Sequence, residues 1–239
     1  MAIIGTGQTK HTRERLDVSQ QEMVREAALR ALEDAGITAG EIDAVVLANM
    51  ELFEGRAFPE LWCGEGAGAL GKPTLKIATG GTSGTSGAIA GALQVASGVF
   101  DTVLVVGFEK QSEGQTTAGM ALTDPMWDRH VASAAIGNFA LSISQYMAAR
   151  GVTPGQAAQV AVKARRNAAN NPYAHLQQPD LTVEEVLASK ILAWPIHTLE
   201  MCPTSDGACA LVYASEDVAR RRCPRPAWVR AVATRHDQP

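Results

Sequence analysis

The sequence predicts an α/β fold with a mostly parallel central sheet sandwiched by helices. Two observations carry that expectation. Short apolar runs alternate with longer stretches of helical periodicity along the chain, the pattern of βα units. In addition, Thr102–Gly107 (TVLVVG) is a continuous, largely β-branched run, as strands buried on both faces tend to be.

Taken in order, Ala2–Gly5 is a short apolar strand. Over Ser19–Ala35 the residues Met23, Ala27, Ala28, Ala31, Leu32 and Ala35 recur at helical spacing. Ser19 with Glu22 three residues on forms a capping box, and Gly36 is a helix stop. Asp43–Asn49 (DAVVLAN) is a buried strand. After an irregular or helical stretch through Gly71, Thr74–Ala78 is a strand that leads into a Gly-rich turn and a helix over Ser83–Ser97. Beyond TVLVVG come helices at roughly His130–Arg150 and Pro154–Asn170, with Gly151 between them and Asn170-Asn-Pro-Tyr173 as a stop. A shorter helix spans Val183–Ser189. Asp206-Gly207 reads as a turn before a strand at Ala208–Tyr213. A helix over Ser215–Arg222 and a strand over Ala227–Ala233 follow.

Composition narrows the function. With 239 residues, 46% of them hydrophobic, the chain can bury a sizeable core in one or two domains. A net charge of −4 gives no basic stripe for nucleic acid, and 5% aromatic content argues against a base-stacking platform. There is no apolar run of about 20 residues, so no membrane span is expected. The N-terminus reads as strand and turn, not as a signal peptide. The four cysteines show no CxxC or CxxH spacing, which predicts reduced thiols, no metal site and a cytoplasmic location.

The most informative segment is Lys76–Gly91 (KIATGGTSGTSGAIAG), a strand–turn–helix of the kind on which enzymes present a nucleophile. The backbone N–H groups of Gly81, Thr82 and Ser83 sit at a helix start, where they can bind a carbonyl or an anion. The plainer reading is that the glycines only permit a tight turn and close helix contact. Gly84, Gly87 and Gly91, three or four apart, would then leave one helix face small enough for a partner helix. The segment has no GxxxxGK[ST] or GxGxxG order, so a phosphate loop is not indicated.

Four segments in order carry a family resemblance: Ile3–Lys10 (IIGTGQTK); Val105–Lys110 (VVGFEK); Lys163–His175 (KARRNAANNPYAH) with Leu181–Ser189; and Met201–Ser215 (MCPTSDGACALVYAS). Together with the Gly-rich turn they resemble the thiolase superfamily, in the branch of sterol carrier protein and lipid-transfer thiolases. Those enzymes carry a cysteine at the turn, followed by a small residue, serine and glycine. Aligning Thr82-Ser83-Gly84 with that run puts Gly81 at the cysteine position.

The resemblance implies a thiolase-like N-terminal domain over residues 1–239. A second, similar half normally brings a catalytic histidine and a second cysteine, and neither motif is in this sequence. In thiolases the cysteine thiolate, favoured by the helix dipole and a histidine, attacks an acyl group. Gly81 cannot be acylated. The expected function is therefore C-acyl transfer or C–C bond cleavage or condensation on acyl-CoA thioesters, by a retro-aldol lyase-like variant without the cysteine. Coenzyme A enters as part of the substrate, and no cofactor is bound. Gly81, Thr82 and Ser83 are the backbone or oxyanion candidates. Thr82 or Ser83 as replacement nucleophiles would need an adjacent base, which the sequence does not identify. In the family His130 and His175 lie in loops over the pocket, against the plainer reading of surface histidines. Cys202 lies near the core, against that of a buried inert thiol. Arg165 and Arg166 can attract coenzyme A phosphates, or simply form a solvated helix face. The resemblance also implies a homodimer and admits a second subunit, either an OB-fold zinc-ribbon protein or the missing thiolase half. The alternative is a non-catalytic scaffold or regulatory subunit.

Overall fold

The structure, a computed structural model, describes residues 1–53, 57–115, 126 and 134–235. The chain divides into two compact units. The first comprises Met1–Thr9, Arg15–Lys110 and Asp206–Pro239, the second Lys10–Glu14 and Gln111–Ser205.

The first unit is built on a six-stranded sheet of β1 (Ala2–Gln8), β2 (Ala44–Ala48), β3 (Thr74–Ile77), β4 (Thr102–Lys110), β7 (Asp206–Ala214) and β8 (Ala227–Trp228), in the order β3-β2-β4-β7-β1-β8. Strands β3, β2 and β4 pair in parallel, while β7 is antiparallel to both β4 and β1. Four of the six strands thus run one way, as the βα pattern predicts. The inserted β7 makes its own two pairings antiparallel, as is that of β1 with β8.

Alternation along the strands feeds two cores. Val45, Leu47, Leu104 and Val106 bury with Met23, Val24, Ala27, Ala31 and Leu32 of helix α1 (Gln20–Ala35) on one face. Ala44, Val46, Val103, Val105 and Tyr213 bury with Ala92 and Val95 of helix α3 (Ser83–Ala96) on the other. The period of two is what allows a continuous apolar strand to serve both layers. Helix α1 has the expected capping box: Ser19 Oγ accepts the Glu22 N–H, and the Glu22 carboxylate accepts the Ser19 N–H. It ends at Gly36 with φ 64°. A short helix α2 (Glu60–Cys63) lies in the stretch before β3.

Three expectations change. Asp206 and Gly207 begin β7 instead of making a turn, and the buried Asp206 carboxylate accepts the Arg15 N–H at 2.9 Å. The last strand is only Ala227–Trp228, which pairs antiparallel with Ala2–Ile3, and the Val229 N–H donates to the Met1 carbonyl beyond it. The glycines of α3 do not offer a face to a partner helix: Gly87 and Gly91 are buried against the sheet. A Cβ at Gly87 would lie 2.7 Å from the Ala48 Cβ, and one at Gly91 would strike Val105 Cγ2 and come within 3.2 Å of Tyr213. They let α3 sit down on β2, β4 and β7.

The second unit contains α4 (Ala134–Arg150), α5 (Pro154–Ala168) and α6 (Val183–Ala188). Thr153 with Gln156, and Thr182 with Glu185, form capping boxes at the starts of α5 and α6. A small hairpin, β5 (Ile191–Ala193) and β6 (Ile196–His197), turns through a cis Trp194–Pro195 bond and is absent from the sequence expectation. Among the described residues no helix is long and apolar enough to cross a membrane.

Candidate active site

Strand β3 ends at Ile77, and the chain turns through Thr79–Thr82 into α3. Gly80, at φ 63°, adopts the left-handed backbone that only glycine takes easily. Side chains knit the turn together. The Thr79 N–H donates to Ser83 Oγ (2.9 Å), Ser83 Oγ donates to the Gly80 carbonyl (2.7 Å), and Thr82 Oγ1 donates to the Thr79 carbonyl (2.8 Å). The hydroxyls of Thr82 and Ser83 are therefore structural, and Ser83 is buried. The N–H groups of Thr82 and Ser83 also turn inward, to Thr79 O at 3.4 Å and Gly80 O at 3.0 Å. Gly81 forms an isolated bridge with Thr79, but among the described residues its N–H, unlike those of Thr82 and Ser83, has no carbonyl acceptor within the turn.

Gly81 is exposed, and among the described residues a Cβ built on it meets nothing within 4 Å. Its backbone is not among the positive-φ glycines. Among the described residues, neither packing nor backbone conformation requires glycine here.

The turn lies at the C-terminal ends of the parallel strands, the edge at which open α/β sheets bind ligands. Beside it are residues that sequence reasoning did not single out. The buried Asn49 donates from Nδ2 to Phe108 O (3.0 Å) and accepts the Glu51 N–H on Oδ1 (2.7 Å). The Glu109 carboxylate accepts the Met50 N–H (2.5 Å). Glu109, from the GFEK segment, thus ties the end of β4 to the end of β2. Glu51 pairs with Lys76, and the hydrogen bond from Lys76 holds its carboxyl below the usual range, against the opposing effect of partial burial. An asparagine closing an otherwise apolar strand was the available signal.

The other candidates belong to the second unit or lie outside the described residues, as His130 does. The half-buried His175 shares a 2.8 Å hydrogen bond between its Nδ1 and Ser205 Oγ, with the donor set by the imidazole tautomer. Cys202 is exposed, which corrects the expectation of a buried thiol. Arg165 does not form a solvated face. Its guanidinium donates to the carbonyls of Met201 (2.9 Å) and Leu199 (3.4 Å), and burial lowers its pKa. It therefore fixes the loop that carries Cys202. Arg166 is exposed on the same helix. Among the described residues no group of three or more His, Cys, Asp or Glu side chains could hold a metal ion.

An α/β sheet with a strand–turn–helix at its carboxyl edge is an arrangement at which open α/β folds bind ligands. The family model for "Thiolase, N-terminal domain" matches residues 1–182, and the chain belongs to that family. It is 33% identical over 237 residues to an acetyl-CoA acetyltransferase of Methanothermobacter thermautotrophicus, covering 98% of this chain and 61% of that protein. It is 30% identical over 249 residues to sterol carrier protein 2 of Gallus gallus, covering 97% of this chain and 44% of the relative. The solved structure of an Ltp2–ChsH2(DUF35) aldolase superposes with a TM-score of 0.77 at 26% identity, over 94% of this chain and 58% of that one. The chain thus spans roughly half to three fifths of the length of the relatives it matches.

Proposed function

We propose that this chain supplies the nucleophile-turn half of an enzyme that makes or breaks C–C bonds in acyl-CoA thioesters without a covalent acyl–cysteine, most simply by retro-aldol cleavage. The observation that carries this reading is Gly81: the turn is intact and has room for a side chain, yet offers only a backbone N–H. In a retro-aldol reaction the β-hydroxyl proton leaves to a base and the O–H electron pair becomes a carbonyl. The Cα–Cβ bond breaks into a thioester enolate, which is then protonated at Cα. No step requires a nucleophile on the protein. The chemistry requires donors aimed at the enolate oxygen, and a backbone N–H at the start of a 14-residue helix is such a donor. The likeness to a protein named as an aldolase supports the same class of chemistry.

Coenzyme A is then part of the substrate. Arg165 is engaged with backbone carbonyls, so Arg166 is the better phosphate contact of the two. We further propose a homodimer and, because the similar aldolase is named for two components, a second subunit that supplies the missing proton-transfer groups.

The test is to isolate the untagged protein from its source, determine its assembly by native mass spectrometry, and incubate it with 3-hydroxyacyl-CoA esters. Release of a shorter acyl-CoA and a carbonyl compound in equal amounts supports the proposal. A bare homodimer that binds the thioester without cleaving it would favour the scaffold reading instead.

A further inference from the structure

Residues from, or adjoining, all four segments that carry the family resemblance meet in the second unit, around one serine–histidine pair. His175 Nδ1 and Ser205 Oγ are 2.8 Å apart and both residues are half-buried, accessible to a reagent yet partly shielded from water. The histidine loop is held from several directions. Lys10 Nζ donates to the carbonyls of Pro172 (2.9 Å) and Ala174 (2.6 Å), the His11 N–H donates to Tyr173 O (3.0 Å), and Asn171 Oδ1 accepts the Tyr173 N–H (2.9 Å). On the serine side, the Ser205 N–H donates to Gln111 Oε1 at 3.2 Å. Arg165 holds the chain four to six residues upstream. The other contact open to the hydroxyl, Pro203 O, is longer at 3.4 Å, so the imidazole is its principal partner.

A hydroxyl within hydrogen-bond reach of an imidazole, with both loops fixed by other groups, is the arrangement that activates a weak nucleophile. We propose that Ser205, with His175 as its base, is an acyl-accepting site for thioesters and other activated acyl groups. In the tautomer protonated at Nε2, Nδ1 takes the Ser205 hydroxyl proton as Oγ attacks the acyl carbon. The new Oγ–C bond forms and the C–S bond breaks. The thiolate leaves with the proton returned from His175, giving acyl-Ser205 and free coenzyme A. No oxidant or co-reactant is needed. The site goes beyond the retro-aldol reading and does not depend on it.

The test uses the intact protein with acetyl-CoA and, separately, p-nitrophenyl acetate, followed by neutral hydroxylamine to strip acyl groups from cysteines and then by peptide mass mapping. The expected result is one acetyl group per chain on Ser205, with a matching burst of p-nitrophenol. His175→Gln is expected to slow that burst about 100-fold or more, the usual contribution of a positioned base. Two results would overturn the proposal. One is a folded wild-type protein that carries no hydroxylamine-resistant acetyl group on Ser205. The other is a Ser205 adduct that forms equally fast in a folded His175→Gln variant. Neither outcome bears on retro-aldol turnover, which is measured separately with 3-hydroxyacyl-CoA.

Discussion

Replacing Gly91 with alanine adds one methyl group to the face of α3 that rests on the sheet, and the packing there sets the consequence. The new Cβ would strike Val105 Cγ2 and sit 3.2 Å from Tyr213 Cδ2, both from buried residues. Overpacking a close-fitted interior typically costs about 1–3 kcal/mol, and a clash with two buried, stiff side chains belongs near the upper end. Alanine returns about 1 kcal/mol through its better helix propensity. The net expectation is a loss of about 2 kcal/mol, a fall in Tm of roughly 4–8 °C for a chain of this size. Gly84→Ala is the internal control, since a Cβ there meets nothing within 4 Å. It should be neutral or stabilising by about 0.5 kcal/mol. Thermal unfolding followed by circular dichroism, with urea titration alongside, measures both. A Gly91→Ala protein that keeps its Tm but loses self-association would refute the reasoning, because it would show the glycine face meeting a partner helix and not the sheet.

Other expectations follow from single contacts. Ser19→Ala removes the side-chain cap of α1 and should cost about 1 kcal/mol, read as a lower urea midpoint. In the same box, the hydrogen bond from the Ser19 backbone lowers the Glu22 pKa. A carboxyl with a depressed folded pKa stabilises the fold above its unfolded pKa, and that stability is lost as pH falls through the folded value. Glu22→Gln should therefore lower stability near neutrality and flatten the acid limb of stability against pH; an unchanged acid limb would count against the capping assignment. Asp206→Ala leaves the Arg15 N–H without its acceptor inside the first unit and should destabilise by about 1–3 kcal/mol in urea titration.

Local chemistry was readable from the sequence where it is self-contained. The Ser19–Glu22 box, the Gly36 stop and the apolar run of β4 depend on neighbours a few residues away, and each forms where its pattern indicates. What depended on distant pairing was not readable. Asp206-Gly207 has the composition of a turn, but the ladder with Glu109 and Lys110 draws it into β7. The Ala227–Ala233 pattern is strand-like throughout, yet only Ala227 and Trp228 find ladder partners, in Ile3 and Ala2. Gly84, Gly87 and Gly91 have the spacing of a helix-contact face; only the strands beneath show that Gly87 and Gly91 face a sheet. At the candidate site, the turn and its missing thiol were legible as a motif. The engagement of the Thr82 and Ser83 hydroxyls, the inward turn of Arg165 and the pairing of His175 with Ser205 are side-chain geometry that spacing does not encode.

The proposed function makes the turn at Gly81 a thioester-directed site whose own segment carries no thiol. Gly81→Cys tests it directly, since the structure leaves open space for the added side chain. The folded variant, in its native assembly, is incubated with acetyl-CoA and its intact mass is followed before and after neutral hydroxylamine. The account predicts a hydroxylamine-labile acetyl group, mapped to position 81 and absent from that position in the parent protein. A folded variant that binds the thioester but never becomes acylated at that position would contradict it.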